Sequence, residues 1–227
     1  MKLVIGNKNY SSWSMRPWIG LKAAGIAFDE EVISLYVDGS REQILKHSPA
    51  GKVPVLIDGD VHVWESLAIL EYAAEKFPKV GLWPSDPAAR AHARAISTEM
   101  HAGFVPLRRE CGMSFWRPPA KRELSADAQA DVARMQAMWT DARTRFGAGG
   151  PFLFGKFSAA DAMFAPIVQR FIAYAIDVSA PVKTYMAAMT ALSAWQDWRR
   201  AALRETWVIP KFEADWPNVP RLPADAA

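Results

Sequence analysis

Val53, Pro54, Glu65 and Ser66 lie within one short stretch whose residue types could bind a small peptide-like ligand. Proline has no N–H to give to a strand ladder, so Pro54 belongs at a strand start, an edge or a bulge. If the bond before it is cis, the N–H and C=O of Val53 point outward and could hold an extended peptide as an added strand. A helix starting at Glu65 and Ser66 would offer unpaired N–H groups to a carboxylate. An ordinary hairpin with Ser66 as a helix cap is the alternative.

The elements around these residues follow from local pattern. Residues 53–57 form a short apolar run that predicts a strand, and Asp58-Gly59 is a strong hairpin signal before the alternating return strand at 61–63. After Glu65 the apolar residues recur at three- and four-residue steps, which predicts a helix up to residue 77. Upstream, the sequence predicts strands at 2–5 and 28–35 and helices at 15–24 and 41–47. A strand–helix–strand unit followed by a hairpin and a covering helix predicts a small α/β domain over residues 1–80.

Beyond this domain the character of the chain changes. Residues 81–87 are rich in proline and read as a linker, and residues 88–227 are alanine-rich with helical periodicity. One helix is expected from the apolar series Ile96, Met100, Gly103, Leu107 and Cys111. Ser158-Ala-Ala-Asp161 is a capping-box pattern that opens another helix, which makes Asp161 a folding residue. The tail from residue 207, with four prolines, predicts irregular chain (Pro210, Pro217, Pro220, Pro223).

Composition excludes several classes of function. With 227 residues, 51% hydrophobic and 22% charged, the chain is long enough for a substantial core and typical of a globular protein. Its single cysteine excludes a disulfide framework, and its four histidines show no metal-ligand spacing, so no metal is expected. The net charge of +3 is dispersed, which argues against a nucleic-acid partner. No apolar run of membrane-spanning length and no signal-peptide pattern were found, so we expect no membrane partner and a cytoplasmic location.

The combination of a Val-Pro strand, a hairpin, an acid-Ser helix start and a later Ser-x-x-Asp capping box resembles the cytosolic glutathione transferases. That resemblance implies a thioredoxin-like N-terminal α/β domain followed by an all-α helical bundle. It further implies that the protein binds glutathione, with no metal, and conjugates it to a small hydrophobic electrophile as a cytoplasmic homodimer active in detoxification. Val53 and Pro54 would bind the cysteinyl backbone, Glu65 and Ser66 the γ-glutamyl end, and Lys52 the glycyl carboxylate.

The thiol-activating group of this family follows the first strand. Here Ser-Ser-x-Ser-x-Arg, residues 11–16, is similar to the zeta-class signature Ser-Ser-Cys-x-x-Arg. The resemblance makes Ser11 the catalytic residue and Ser12 a supporting donor, with Ser14 also at the glutathione site. Tyr10 is a rival because other classes use a tyrosine on this segment, and capping alone is a further alternative for the serines.

Trp13 stands where the zeta pattern has cysteine, which puts the zeta activity on maleylacetoacetate in doubt. The electrophile pocket has no motif, and its expected lining residues are Tyr10, Trp13, Met100, His101, Phe104 and Arg108. Plain packing is the alternative for the residues of the second domain. A glutathione-dependent cis–trans isomerase and a catalytically silent binding or scaffold protein of the same fold remain alternative functions.

Overall fold

A computed structural model describes residues 1–216 and 220–226. The first domain contains the strands β1 to β4 and the helices α1 to α3, in the order β1 (Lys2–Gly6), α1 (Ser12–Ala23), β2 (Asp29–Ile33), α2 (Ser40–Leu45), β3 (Val55–Asp58), β4 (Val61–Trp64) and α3 (Ser66–Lys76). The strands lie side by side in the order β2-β1-β3-β4, with β1 parallel to β2 and antiparallel to β3. This mixed sheet with its helices confirms the predicted α/β class.

The second domain is helical, as predicted. It consists of α4 (Pro87–Ala102), α5 (Val105–Glu110), α6 (Ala126–Phe146), α7 (Ala159–Ala173), α8 (Ala180–Ala191) and α9 (Ser193–Arg204). Short 3₁₀ turns lie at Pro78–Val80 and Pro210–Phe212. Pro217, counted among the tail prolines, falls outside the described residues. Within residues 1–216 and 220–226, no helix combines the length and hydrophobicity needed to cross a bilayer.

Helix α1 starts earlier than expected, and this shift matters for the site. The sequence pattern predicts a start at residue 15, whereas α1 starts at Ser12 with Ser11 as its N-cap. The serines therefore lie at the first turn, where the backbone N–H groups point away from the helix. Pro17 consequently lies inside α1, beyond its first turn, so the Trp13 carbonyl has no helical N–H to accept and accepts the Ser66 hydroxyl instead.

Helix α1 also joins the two domains. A Cβ atom on Gly20 would lie 2.4 Å from Leu70 Cδ2 of α3 and 3.3 Å from Ala162 Cβ of α7. A side chain at this position would force the buried Leu70 to move, so glycine lets α1 pack directly against both helices. The buried core is accordingly continuous from Ile5 and Leu70 through Phe164 into the helical domain.

The capping box at the start of α7 is present as predicted. Asp161 accepts hydrogen bonds from the Ser158 backbone N–H and hydroxyl, each at 2.8 Å, and its other oxygen accepts the Leu153 N–H at 3.1 Å. Asp161 is fully buried, so these donors replace the water that an exposed carboxylate would have. The residue is a folding residue, at the start of the helix that carries the core between the domains.

The expectation of one helix through residues 96–111 is wrong. Helix α4 ends at Ala102 with the extended Gly103 as its C-cap, and Phe104 takes a left-handed φ of 60° before α5 begins. A glycine followed three residues later by Pro106 is a stop-and-restart signal that outweighs the apolar spacing. The break turns α5 and its two arginines, Arg108 and Arg109, toward the N-terminus of α1.

Candidate functional site

A cleft of about 870 Å³ opens beside the N-terminus of α1, between the sheet domain and the helical domain. Most of the residues predicted for the site line it: Tyr10, Ser11, Ser12, Trp13, Lys52, Val53, Pro54, Glu65, His101 and Arg108. The fold thus brings together residues separated by almost a hundred positions in the chain. Ser14, Ser66, Met100 and Phe104 are buried behind its walls.

Ser11 is held in the cleft by a short hydrogen-bonded chain. Its Oγ lies 2.8 Å from Ser14 Oγ, and Ser14 Oγ in turn accepts the Gly6 N–H at 3.0 Å. A serine hydroxyl has one proton to donate and two lone pairs to accept with. Ser11 donates to Ser14 here, and because Ser14 has a proton of its own the bond can reverse when a ligand accepts from Ser11. Ser14 itself is fully buried and acts on a ligand only through Ser11.

Tyr10 has its hydroxyl turned to the C-terminal segment. The Tyr10 hydroxyl donates to Glu213 at 2.5 Å, and its ring packs against Trp116 and Phe212 with centroid distances of 5.5 and 5.6 Å. Burial, and then the hydrogen bond to Glu213, raise the pKa of Tyr10 far above its ordinary value. A phenol whose proton is already given to a carboxylate is poorly placed to donate to a thiolate.

Ser12 faces a different partner. Its Oγ accepts a hydrogen bond from Arg170 Nη2 at 3.3 Å. Arg170 is buried in α7, where Nη1 donates to the carbonyls of Arg108 and Cys111. Its Nε has no hydrogen-bond partner among the described residues. Ser12 thus connects the first turn of α1 to a buried positive charge.

The opposite wall of the cleft is formed by main-chain atoms. The Val53–Pro54 peptide bond is cis, and Val53 lies just before β3, outside the ladder that starts at Val55. The Val53 N–H and C=O take part in no hydrogen bond within residues 1–216 and 220–226. The exposed Lys52 flanks this open backbone pair, and Arg41 of α2 lies beyond it. An extended peptide backbone would find both a donor and an acceptor here.

Glu65 and Ser66 lie at the start of α3 and have different roles. Ser66 is fully buried, and its hydroxyl donates to the Trp13 carbonyl at 2.8 Å, which ties the starts of α1 and α3 together. Glu65 is exposed in the cleft with φ of 71°, a region that non-glycine residues seldom adopt. Such strained residues cluster at functional sites. The α3 N-terminus beside Glu65 favours an anion.

Trp13 lies between two guanidinium groups. The Arg16 and Arg108 Cζ atoms are 4.1 and 4.7 Å from its ring centroid, and His101 meets the ring edge-on at 5.0 Å. His101 Nε2 is 3.5 Å from a Glu65 oxygen. Burial lowers the pKa of His101, since the effect of Glu65 is opposed by the two arginines. This wall is therefore aromatic and positively charged.

Met100 and Phe104 do not reach the cleft. Met100 is fully buried on the inner face of α4, and Phe104 is 7% exposed at the turn between α4 and α5. Helical spacing identified the apolar face of α4, but that face packs into the protein core.

Several residues of the cleft were not expected from the sequence, namely Tyr36, Arg41, Met113, Arg170 and Phe212. Arg170 did carry a signal, because arginine is rarely buried in an apolar helix without a purpose. Phe212 lies in the C-terminal tail, and no sequence pattern indicated that it would line the cleft. Among residues 1–216 and 220–226, no group of His, Cys, Asp and Glu is arranged to hold a metal ion.

Comparison with known families identifies both parts of the chain. Residues 10–76 match the model of the glutathione S-transferase N-terminal domain, and residues 121–201 match that of the C-terminal domain. Together these matches include the cis-proline wall, the serines and the capping box.

Individual proteins agree with this assignment. The chain is 31% identical to a maleylacetoacetate isomerase of Rattus norvegicus over 82% of its length and 87% of that protein. It is 41% identical to a probable maleylacetoacetate isomerase of Caenorhabditis elegans, and that alignment covers 43% of this chain and 45% of the relative, less than half of each. A glutathione transferase homologue from Burkholderia, with bound glutathione, has the same fold with a TM-score of 0.68. That structure is 22% identical and is matched over 90% of this chain and 98% of its own.

Proposed function

The chain belongs to the glutathione S-transferase family, and on that premise we propose that it binds glutathione in the cleft, stabilises the thiolate with the Ser11 hydroxyl and adds the sulfur to a small electrophile. The observation that carries the proposal is the position of Ser11. Ser11 is the N-cap residue of α1, its hydroxyl makes no capping hydrogen bond, and it lies in the same cleft as the open backbone of Val53 and the start of α3.

Each wall of the cleft has a role in holding glutathione. The Val53 N–H and C=O pair with the cysteinyl backbone, because neither group has a hydrogen-bond partner within residues 1–216 and 220–226. Glu65 binds the γ-glutamyl amine, and the first-turn N–H groups of α3 bind its carboxylate. Lys52, with Arg41 near it, attracts the glycyl carboxylate. These three attachments direct the sulfur toward Ser11.

The energetics of thiolate formation are sufficient without a metal or a general base. A free thiol has a pKa near 8.5, and lowering it by about two units requires about 2.7 kcal/mol of preferential stabilisation. One hydroxyl hydrogen bond to a charged sulfur contributes roughly 1.5–3 kcal/mol. The α1 N-terminus adds about 0.3–1 kcal/mol. Ser11 acts as a hydrogen-bond donor, and the nucleophile is the glutathione sulfur.

The experiment that tests this mechanism is an ultraviolet titration of the thiolate of bound glutathione in the wild type, Ser11→Ala and Ser12→Ala. We expect the thiol pKa of bound glutathione to lie below its ordinary value in the wild type. In Ser11→Ala it should rise by one to two units, because the sulfur loses one hydrogen bond to a charged group. Ser12→Ala compares the two serines, because Ser12 accepts from Arg170 and keeps its own proton; a larger rise of the thiol pKa in Ser12→Ala than in Ser11→Ala would make Ser12 the donor. Bound glutathione with an ordinary thiol pKa in the wild type would contradict the mechanism and favour a silent binding protein.

A glutathione-dependent cis–trans isomerase is the second candidate, favoured by the 31% identity to a maleylacetoacetate isomerase over most of both chains. The two functions differ in their products. An isomerase releases glutathione unchanged, whereas a transferase consumes it, so counting free thiols during turnover of maleylacetoacetate and of a halogenated arene separates them. The family resemblance also implies a homodimer, which sedimentation equilibrium would test.

A further inference from the structure

The loop between β1 and α1, residues 7–11, is buried, although loops usually lie at the surface. Asn7 and Asn9 are fully buried, and Lys8, Tyr10 and Ser11 are at most 8% exposed. Buried backbone N–H and C=O groups need hydrogen-bond partners, so the course of this loop depends on the groups around it that supply them. Because the loop leads directly into Ser11, those partners also decide where the proposed thiol donor lies.

Glu205 supplies two of these partners from the helical domain. It follows the last residue of α9, and its two carboxylate oxygens accept the backbone N–H groups of Lys8 at 2.5 Å and of Asn9 at 2.9 Å. Trp198, on the buried face of α9, donates to the Lys8 carbonyl at 3.0 Å. Burial raises the pKa of Glu205, and the two N–H groups oppose that rise because they stabilise the ionised carboxylate. The end of α9 thus holds the two peptide units that flank Lys8.

The position of Asn9 is passed on to Ser11, two residues further along. The Asn9 Oδ1 atom accepts the N–H groups of Phe115 and Trp116 at 2.6 and 3.0 Å, which fixes the loop from a second side. The Asn7 carbonyl accepts the Ser11 N–H at 2.8 Å, so the two ends of the loop are joined. A displacement of the loop would therefore move the Ser11 hydroxyl. Hydrogen bonds weaken steeply as their angle departs from linearity, so such a movement would weaken the bond to a sulfur.

We propose that Glu205 is a positioning residue for the thiolate: by holding the N–H groups of Lys8 and Asn9, it keeps the Ser11 hydroxyl within reach of the glutathione sulfur. The inference rests on the proposed function, because the Ser11 hydroxyl is the donor that is positioned. Glu205 does not line the cleft, so it acts on the sulfur only through the loop. Functional groups must be held within about 0.5 Å of their productive geometry by the residues that support them. Here a carboxylate of the helical domain supports a donor at the edge of the sheet domain.

The test is the ultraviolet titration of the thiolate of bound glutathione in Glu205→Gln, in Ser11→Ala and in the double variant. Glutamine keeps the size of the side chain and one acceptor oxygen, so the variant should fold, but its NH₂ group faces the second backbone N–H. We expect the thiol pKa to rise by about half a unit or more in Glu205→Gln, a partial loss of one charge-assisted hydrogen bond. It should rise no further when Ser11 is already alanine, because residues that act through one another are not additive. No rise in Glu205→Gln, or an equal rise in both backgrounds, would contradict the proposal.

Asp86→Ala is the matched control for a loss of stability. Asp86 also accepts a backbone N–H, that of Ala89 at 2.8 Å, but it does so at the start of α4. Removal of this helix cap should destabilise the fold and leave the thiol pKa unchanged. A rise of the thiol pKa in Asp86→Ala equal to that in Glu205→Gln would show that lower stability alone is sufficient, and it would overturn the positioning role.

A binding measurement separates this proposal from the transferase mechanism. Glutathione sulfonate has a permanent negative charge at the position of the thiolate, whereas S-methylglutathione is neutral there. The ratio of their dissociation constants, measured by calorimetry, therefore reports the donor without any ionisation of a thiol. We expect Glu205→Gln to lower the preference for the sulfonate about threefold or more, in the same direction as Ser11→Ala, even if the thiol pKa of the wild type proves ordinary. An unchanged preference in Glu205→Gln would overturn the proposal, even if the wild type lowers the thiol pKa and the transferase mechanism stands.

Discussion

Replacing Tyr10 by phenylalanine should weaken the fold and leave the thiol chemistry intact. The variant removes the hydroxyl that donates to Glu213 at 2.5 Å, at a residue only 6% exposed. A hydrogen bond to a charged group contributes about 1.5–3 kcal/mol, and Glu213 retains Arg221 as a partner, so we expect a loss of about 1–2 kcal/mol in the free energy of unfolding. For a protein of this size that corresponds to a fall in Tm of about 2–8 °C.

The same variant should not change the pKa of bound glutathione, because the phenol proton is committed to Glu213 and Ser11 provides the donor to the sulfur. Urea unfolding and the ultraviolet thiolate titration, run on one preparation, measure both quantities. Tyr36→Phe is the matched control, since Tyr36 is 62% exposed and its ring lies in the same cleft. A thiol pKa that rises by a unit or more in Tyr10→Phe while stability is unchanged would refute this assignment and make Tyr10 the activating residue.

Two further predictions concern buried groups away from the sulfur. Asp161→Ala should lower the free energy of unfolding by about 2–4 kcal/mol at pH 5, because the buried N–H groups of Leu153 and Ser158 lose their acceptor. Burial raises the pKa of Asp161 to about 6, so the native state binds its proton more tightly than the unfolded chain, and this destabilisation should shrink as pH rises through 6 in urea titrations. The Cys111 thiol, whose pKa burial raises to about 11, should resist iodoacetamide in the native protein at pH 8 and react at once in urea; rapid native labelling would contradict its burial.

What could be predicted from sequence was local. The hairpin at Asp58-Gly59 and the capping box of Ser158 and Asp161 each depend on residues within a few positions of one another, and both are present. The order of strands and helices in the first domain could be predicted because each element has its own periodic pattern of apolar residues. The start of α1 at Ser12 was missed because the apolar pattern begins only at residue 15, whereas the helix is extended by the polar serines of its first turn.

The other features of the site depend on which faces of the helices and loops pack against each other in the folded protein. Met100 lies on the apolar face of α4 and Phe104 at the turn after it, but periodicity does not say whether such residues border a cleft or the core. Phe212 reaches the cleft only because its segment is bound to the first domain through Glu213 and Tyr10. Arg170 enters the site from α7, more than 150 residues from Ser12. No local motif encodes such long-range pairings.

The attachment of the first loop to the end of α9 has a consequence for the order of biosynthesis. Glu205 accepts the backbone N–H groups of Lys8 and Asn9 at 2.5 and 2.9 Å, and Trp198 donates to the Lys8 carbonyl at 3.0 Å. These partners are made by the ribosome almost two hundred residues after the loop they complete. The N-terminal domain can emerge first, but the loop that leads into Ser11 acquires its final hydrogen bonds only after the helical domain has been translated. A nascent chain that stalls before α9 would therefore contain the serines at the start of α1, but the loop before them would lack the hydrogen bonds that fix its conformation.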